Sequence, residues 1–156
     1  MGNIKILSTE YQLNAVNDVP DARDWLYQPT LKTLQPVLLP GQPEILDQKS
    51  EGACTGFGLA ATINLLYRQQ GEEHQVSPRM LYDNARRYDE WPGEDYDGSS
   101  CRGAIKGWKN AGFCLEEQSQ YVAGQHSFTV TPEIAKDARQ RTIGANYRVK
   151  IGRATW

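Results

Sequence analysis

The sequence predicts an α+β chain, with a helical unit over residues 1–125 and the opening of a β-rich unit over residues 126–156. Three observations carry that prediction. Between Cys54 and Gly112, three segments have helical apolar spacing and recognisable helix starts and stops. Beyond Tyr121 the pattern changes to short alternating runs. The composition is ordinary globular usage, with 39% apolar residues, and 14 glycines and 8 prolines are too few for a collagen-like or linker-like chain. A length of 156 residues is enough to bury a real core.

Residues 1–45 read as short and irregular, because Pro20, Pro29, Pro36, Pro40 and Pro43 break any long helix. They are expected to form a wrapping arm that lends Trp25, Leu26 and Leu38-Leu39 to the core. The first helix is expected from Cys54 to about Gln70, stopped by Gly71. Phe57, Leu59, Ala60, Ala61, Ile63, Leu65, Leu66 and Tyr67 go nearly all round it, the pattern of a centrally buried helix. Ser77-Pro78 opens the second, an N-cap followed by proline at the first helical position. The third, about Ser100 to Ala111, sets Cys101, Ala104, Ile105, Trp108 and Ala111 against Arg102, Lys106 and Lys109. Asp89 to Gly98 reads as an exposed acidic loop between them. Ser127 to Val130 and Tyr147 to Ile151 are expected strands, with a short helix over Ile134 to Arg141.

Composition also excludes. A net charge of −2 gives no electrostatic case for nucleic acid or an anionic membrane surface. The longest mostly apolar stretch, Phe57 to Tyr67, is too short to cross a bilayer. The start lacks the apolar run of a signal peptide, and three cysteines do not make a disulfide framework. Reduced thiols and a cytoplasmic location are therefore expected. Cys54, Cys101, Cys114, His74 and His126 lack metal-ligand spacing, and no nucleotide-binding glycine pattern occurs, so neither metal nor cofactor is expected. Cys101 and Cys114 read as packing residues. Nothing in the sequence fixes an oligomeric state.

The informative segment is Asp47-Gln48-Lys49-Ser50-Glu51-Gly52-Ala53-Cys54-Thr55-Gly56-Phe57. A cysteine at a helix start meets unpaired backbone N–H groups and the positive end of the helix dipole, which favour a thiolate. Attack on a carbonyl also needs donors for the oxyanion. The Cys54 backbone N–H is one candidate, and the Gln48 side-chain amide, six residues earlier, is another. Gly52, Ala53 and Gly56 are small enough for a substrate backbone to approach. The plainer alternative is a small buried hydrophobe at Cys54 and a solvated loop residue at Gln48.

Gln-x5-Cys, with Gly-Ala before the cysteine and an aromatic three after it, resembles the nucleophile segment of the papain-like cysteine peptidases. In papain and cathepsins that segment reads Cys-Gly-Ser/Ala-Cys-aromatic, with His and Asn about 130–150 residues downstream. Gly52-Ala53-Cys54 fits its middle, whereas Glu51 replaces the first cysteine and Thr55 the aromatic. The resemblance runs over about residues 18–150. Asp18 to Trp25 is similar to the family's mature N-terminal segment, Gly98-Ser99 to the glycine pair that lines its cleft, and Tyr147-Arg148-Val149 to the start of its second domain.

The resemblance implies the papain-like fold, mainly its helical left-hand domain with an incomplete second domain. It implies Cys54 as nucleophile, and Gln48 with the Cys54 N–H as the oxyanion hole. Gly98, Ser99, Gly52 and Ala53 would lie along a peptide or protein substrate, and no cofactor is implied. Secreted members join the positions of Glu51 and Tyr96 by a disulfide; both cysteines are absent here, as suits a reducing compartment. By the family spacing the catalytic histidine is expected no earlier than about position 184, so the chain reads as truncated and inactive alone. His74 reads as a solvated surface residue and His126 as a loop residue. The alternative is a non-catalytic module that binds a protein or peptide in the half-cleft.

Overall fold

Capping residues set the helices of the computed structural model, which describes residues 2–6, 9–13, 20–28, 44–90, 97–125 and 129–148. Helix α1 spans Cys54–Gln69, and its N-cap Ala53 has no side chain to cap it. Helix α2 spans Pro78–Arg87, and the Ser77 hydroxyl accepts the Met80 N–H. Helix α3 spans Cys101–Ala111, with Ser100 accepting from Gly103. Helix α4 spans Pro132–Ala138, capped by Thr131, and runs into a single 3-10 turn at Arg139–Arg141. All four starts satisfy the residue preferences for orphan N–H groups except that of α1. That exception lies where the chemistry was expected.

Helix α2 is the hub, lying between α1 and α3. Seven of its residues are buried, among them Arg79, Tyr82 and Asn84. The sequence pattern puts α1 at the centre; instead α1 buries Gly56, Phe57, Ala60, Ile63 and Asn64 on one face. Gly58, Thr62 and Leu66 on the other face are exposed. Apolar composition misleads there, because the side chains that fill the centre of α2 include polar ones with fixed partners.

Glycines let the helices close. A Cβ on Gly56 would come 2.6 Å from the Tyr82 Cβ, and one on Gly107 would come 2.9 Å from the Asn84 Cβ. Ala60, Ile63, Val76, Leu81 and Phe113 form one core cluster, with Leu59, Tyr67 and Trp108 at its edge. Ala53, Phe57 and Tyr82 form a second, directly beneath the start of α1. Met80, Cys114 and Ala138 form a third, which brings α4 onto α2. Gly112 stops α3 at φ 73°, a conformation open to glycine, and its Cα faces the Ala138 carbonyl where no Cβ would fit.

The arm differs from expectation. Residues Gly2–Ile6 (β1) and Thr9–Leu13 (β2) pair as an antiparallel hairpin rather than running irregularly. Trp25 and Leu26 do not enter the core; they are 76% and 57% exposed. Leu38-Leu39 lies outside the described residues. The arm is held by polar groups instead. Tyr27 N–H donates to the Arg148 carbonyl at 2.9 Å and Arg148 N–H to the Trp25 carbonyl at 2.8 Å, a parallel bridge at Leu26 and Arg148. The Asp24 carboxylate accepts from Arg102 at 2.5 Å and from Arg148 at 3.0 Å.

Of the expected strand at Ser127 to Val130, Ser127 and Phe128 lie outside the described residues, while Thr129 and Val130 are exposed and carry no regular structure. Of the one at Tyr147 to Ile151, Arg148 makes the bridge to Leu26 and residues beyond it lie outside the description. Among the described residues no helix is long and apolar enough to cross a membrane.

Candidate active site

Cys54 is the first residue of α1 and is exposed. Intrahelical bonding starts with Phe57 N–H donating to the Ala53 carbonyl at 3.1 Å. The backbone N–H groups of the first turn before it therefore have no partner within the helix. A thiol and backbone donors share one end of one helix.

The turn that leads into Cys54 is fixed from several sides. Lys49 has a left-handed backbone, φ 57°, costly for a residue with a side chain. Its N–H donates to the Asp47 carboxylate at 2.8 Å, and its ammonium pairs with the same group at 2.6 Å. Glu51 is buried beneath the turn, in an ion pair with Arg79 whose side chains are 7% and 1% exposed. Arg79 Nη2 and Nη1 donate to the two Glu51 oxygens at 2.7 and 3.2 Å, a fork-on-carboxylate geometry. Arg79 Nη1 also donates to the Gln125 carbonyl, and Arg79 Nε pairs with Asp83 at 3.3 Å.

Burial works against the Arg79 charge, but the carboxylates of Glu51 and Asp83 prevail and hold the guanidinium above its ordinary range. Rings of Tyr82 and Tyr121 flank it, 5.3 and 5.4 Å from the guanidinium carbon. The Tyr121 hydroxyl lies 2.8 Å from both the Gln48 carbonyl and the Glu51 carboxylate, so one proton serves two acceptors in the turn. Burial first, and Glu51 second, push that hydroxyl well above the usual phenol range, which keeps it a donor. Its ring packs edge-on against Phe57 of α1 with centroids 4.8 Å apart.

The segment Asp97 to Ser99 is brought to the same place from 44 residues away. Thr55 Oγ1 and Ser99 Oγ are 2.5 Å apart, in hydrogen-bond contact. Gly52 is buried, and a Cβ there would come 3.1 Å from the Asp97 backbone. Ala53 is fully buried over Phe57 and Tyr82. The lack of a side chain at Gly52 thus lets the Asp97 backbone close in. Gly98, at φ 136°, donates its N–H to the Tyr82 hydroxyl at 2.9 Å. That donor is committed to the protein. Gln48 is half-buried, and its carbonyl is the atom the Tyr121 hydroxyl grips.

His74 does not join the site. His74 is 51% exposed at its side chain and pairs with Glu72 at 3.5 Å. Its ring contacts Tyr67, which lies thirteen residues along α1 from Cys54, about 20 Å at the helical rise. His126 lies outside the described residues. Cys101, expected in the core, is exposed at the start of α3, whereas Cys114 is fully buried. Burial pushes the Cys114 thiol up to about 11. Cys54, Cys101 and Cys114 are all thiols, not disulfide-bonded.

The expected loop from Asp89 to Gly98 is pinned at both described ends. Asp89 Oδ1 accepts from Glu90 N–H at 2.8 Å and from Ser100 N–H at 3.3 Å. Tyr96, the other position of the family's disulfide, lies outside the described residues. Sequence reading missed Arg79, Tyr82 and Tyr121 altogether. Apart from the Arg79–Asp83 pair within α2, the hydrogen-bond partners of their side chains lie 16 to 73 residues away; a tyrosine three residues after Arg79 was the one local sign.

Helices α1 to α3, with an exposed cysteine opening α1 and a glycine-containing wall beside it, form the helical domain of a papain-like cysteine protease fold. In structure the chain is similar to xylellain, a cysteine protease from Xylella fastidiosa, with a TM-score of 0.72 and 25% identity. The match covers 86% of this chain and 57% of xylellain, so this chain spans a little over half the length of that protease. No family model matches the sequence, and no curated protein matches it significantly.

Proposed function

We propose that this chain carries the nucleophile half of a cysteine-peptidase site, with Cys54 attacking the carbonyl carbon of a peptide bond. The observation that supports it best is the exposed thiol on an uncapped helix start, in a fold shared with a known cysteine protease. The thiolate would form the acyl bond, and the peptide nitrogen would leave as an amine after protonation. The Cys54 N–H and the Gln48 amide would hold the oxyanion. Ser99 and the Gly98 carbonyl would align the substrate chain, against a wall that Gly52 allows to close in. The imidazole that this chemistry needs as base and acid would come from outside the described residues, since His74 lies at the far end of α1.

Hydrolysis of a fluorogenic peptide library by the native protein, with the region that supplies the imidazole present, tests this. Cleavage that Cys54→Ala abolishes is expected. Tight binding of peptides with no cleavage would favour the binding-module alternative and overturn the enzymatic one.

A further inference from the structure

We infer that Arg79 and Tyr121 are positioning residues for Cys54, gripping the turn Gln48–Ala53 through the Glu51 carboxylate and the Gln48 carbonyl. The inference rests on the reading of Cys54 as the nucleophile, but its grounds are separate. Two elements distant in sequence converge on one turn. Arg79 comes from the first turn of α2 and Tyr121 from the segment after α3, and Tyr121 also packs against Phe57 in the first turn of α1, which follows the turn directly.

The turn contains a left-handed lysine whose contacts to Asp47 are exposed, and one internal backbone bond, from the Glu51 N–H to the Gln48 carbonyl, is long at 3.4 Å. Exposed contacts of that kind hold weakly against solvent. The polar restraints to Glu51 and Gln48 lie under solvent cover. Both lie between the start of the turn and Cys54, with Glu51 three residues before the thiol. Losing them frees the turn to relax its strained residue and to pull the uncapped first turn of α1 out of register. The helix-terminal field at the thiol then weakens, and the backbone donors lose their place.

The three thiols make the test internal. Cys54 reports the site, Cys101 is an exposed reference, and buried Cys114 reports unfolding. Iodoacetamide labelling of each is followed by mass spectrometry at neutral pH. Tyr121→Phe removes one hydroxyl and keeps the ring on Phe57. It is expected to lower the Cys54 rate about two- to fivefold relative to Cys101, with Cys114 still protected. Arg79→Met is expected to lower that ratio further, and Arg79→Lys to restore part of it.

An unchanged Cys54-to-Cys101 ratio in Tyr121→Phe overturns the inference. So does Cys114 labelling that rises in step, since that marks general loosening. In hydrolysis, Tyr121→Phe is expected to lower kcat with KM held. If the native protein cleaves no peptide while the ratio falls as described, the positioning role stands and the peptidase reading fails. If it cleaves peptides while the ratio is unchanged, the peptidase reading stands and the positioning role fails.

Discussion

Two clusters of arginine and carboxylate fasten different segments of this chain, and they differ in their distance from water. Under the turn before Cys54, Glu51 and Arg79 have side chains 7% and 1% exposed. At the arm, Asp24 and Arg102 are 16% and 14% exposed, Arg148 is 35% exposed, and the neighbouring Arg23 is 83% exposed. The same chemistry performs different work in the two places. A buried pair that loses one partner leaves an uncompensated charge, whereas solvent-facing pairs are screened and replaceable.

Arg79→Met should break the comparison most severely. It strands the Glu51 carboxylate, and the loss expected for such a pair is about 3–5 kcal/mol in urea unfolding. Adding Glu51→Gln to that variant should recover part of the loss, because the stranded charge is the larger fault. A loss under about 1 kcal/mol would show that water reaches Glu51 and that the two clusters are alike.

Asp24→Asn should act more gently. The arm is expected to open, seen as faster tryptic cutting after Arg23, with little change in the global unfolding midpoint. Salt should speed that cutting in the parent protein and not in the variant.

The pH dependence of the arm has a definite sign. Hydrogen bonding from Arg102 first, supported by Arg148, holds the Asp24 carboxyl well below the usual carboxylate range. A depressed folded value means the stabilisation is present above the unfolded value near about 3.9 and is lost as pH falls through the lower folded value. Trypsin does not work at that pH, so pepsin cutting of the arm is the measurement, and it should accelerate at the acid end. Smallest of all, Arg23→Ala should leave the unfolding midpoint unchanged, since its pair with Asp21 faces water. A clear shift would mean the arm's outer contacts matter more than their exposure allows.

What the sequence made legible follows the range of the interactions. Caps are local, and Ser77-Pro78, Ser100 and Gly112 marked the ends of α2 and α3 within a residue. The cysteine at the head of α1 was likewise readable, because a Gly-Ala turn, a nucleophile and an aromatic lie within six residues. Long-range polar pairing was not. Beyond Tyr82, nothing local marks Arg79 before Glu51 and Gln125 are brought to it. The arm looked like core material because Trp25 and Leu26 are apolar, yet its hold is Asp24 on Arg102 and Arg148, 78 and 124 residues away. Cys101 fell on the apolar stripe of α3 but sits in its first residue, ahead of the packed part of the helix.

The account turns on Cys54, and the most direct measurement is peptide hydrolysis by the native protein set beside its Cys54→Ala and Cys101→Ala variants. Both substituted residues are exposed thiols at the first position of a helix, so position and exposure alone do not separate them. Cleavage in the parent and in Cys101→Ala, with a loss on the order of a thousandfold or more in Cys54→Ala, is the predicted result. Cleavage that survives Cys54→Ala, or a parent protein that binds peptides and cuts none, would contradict it.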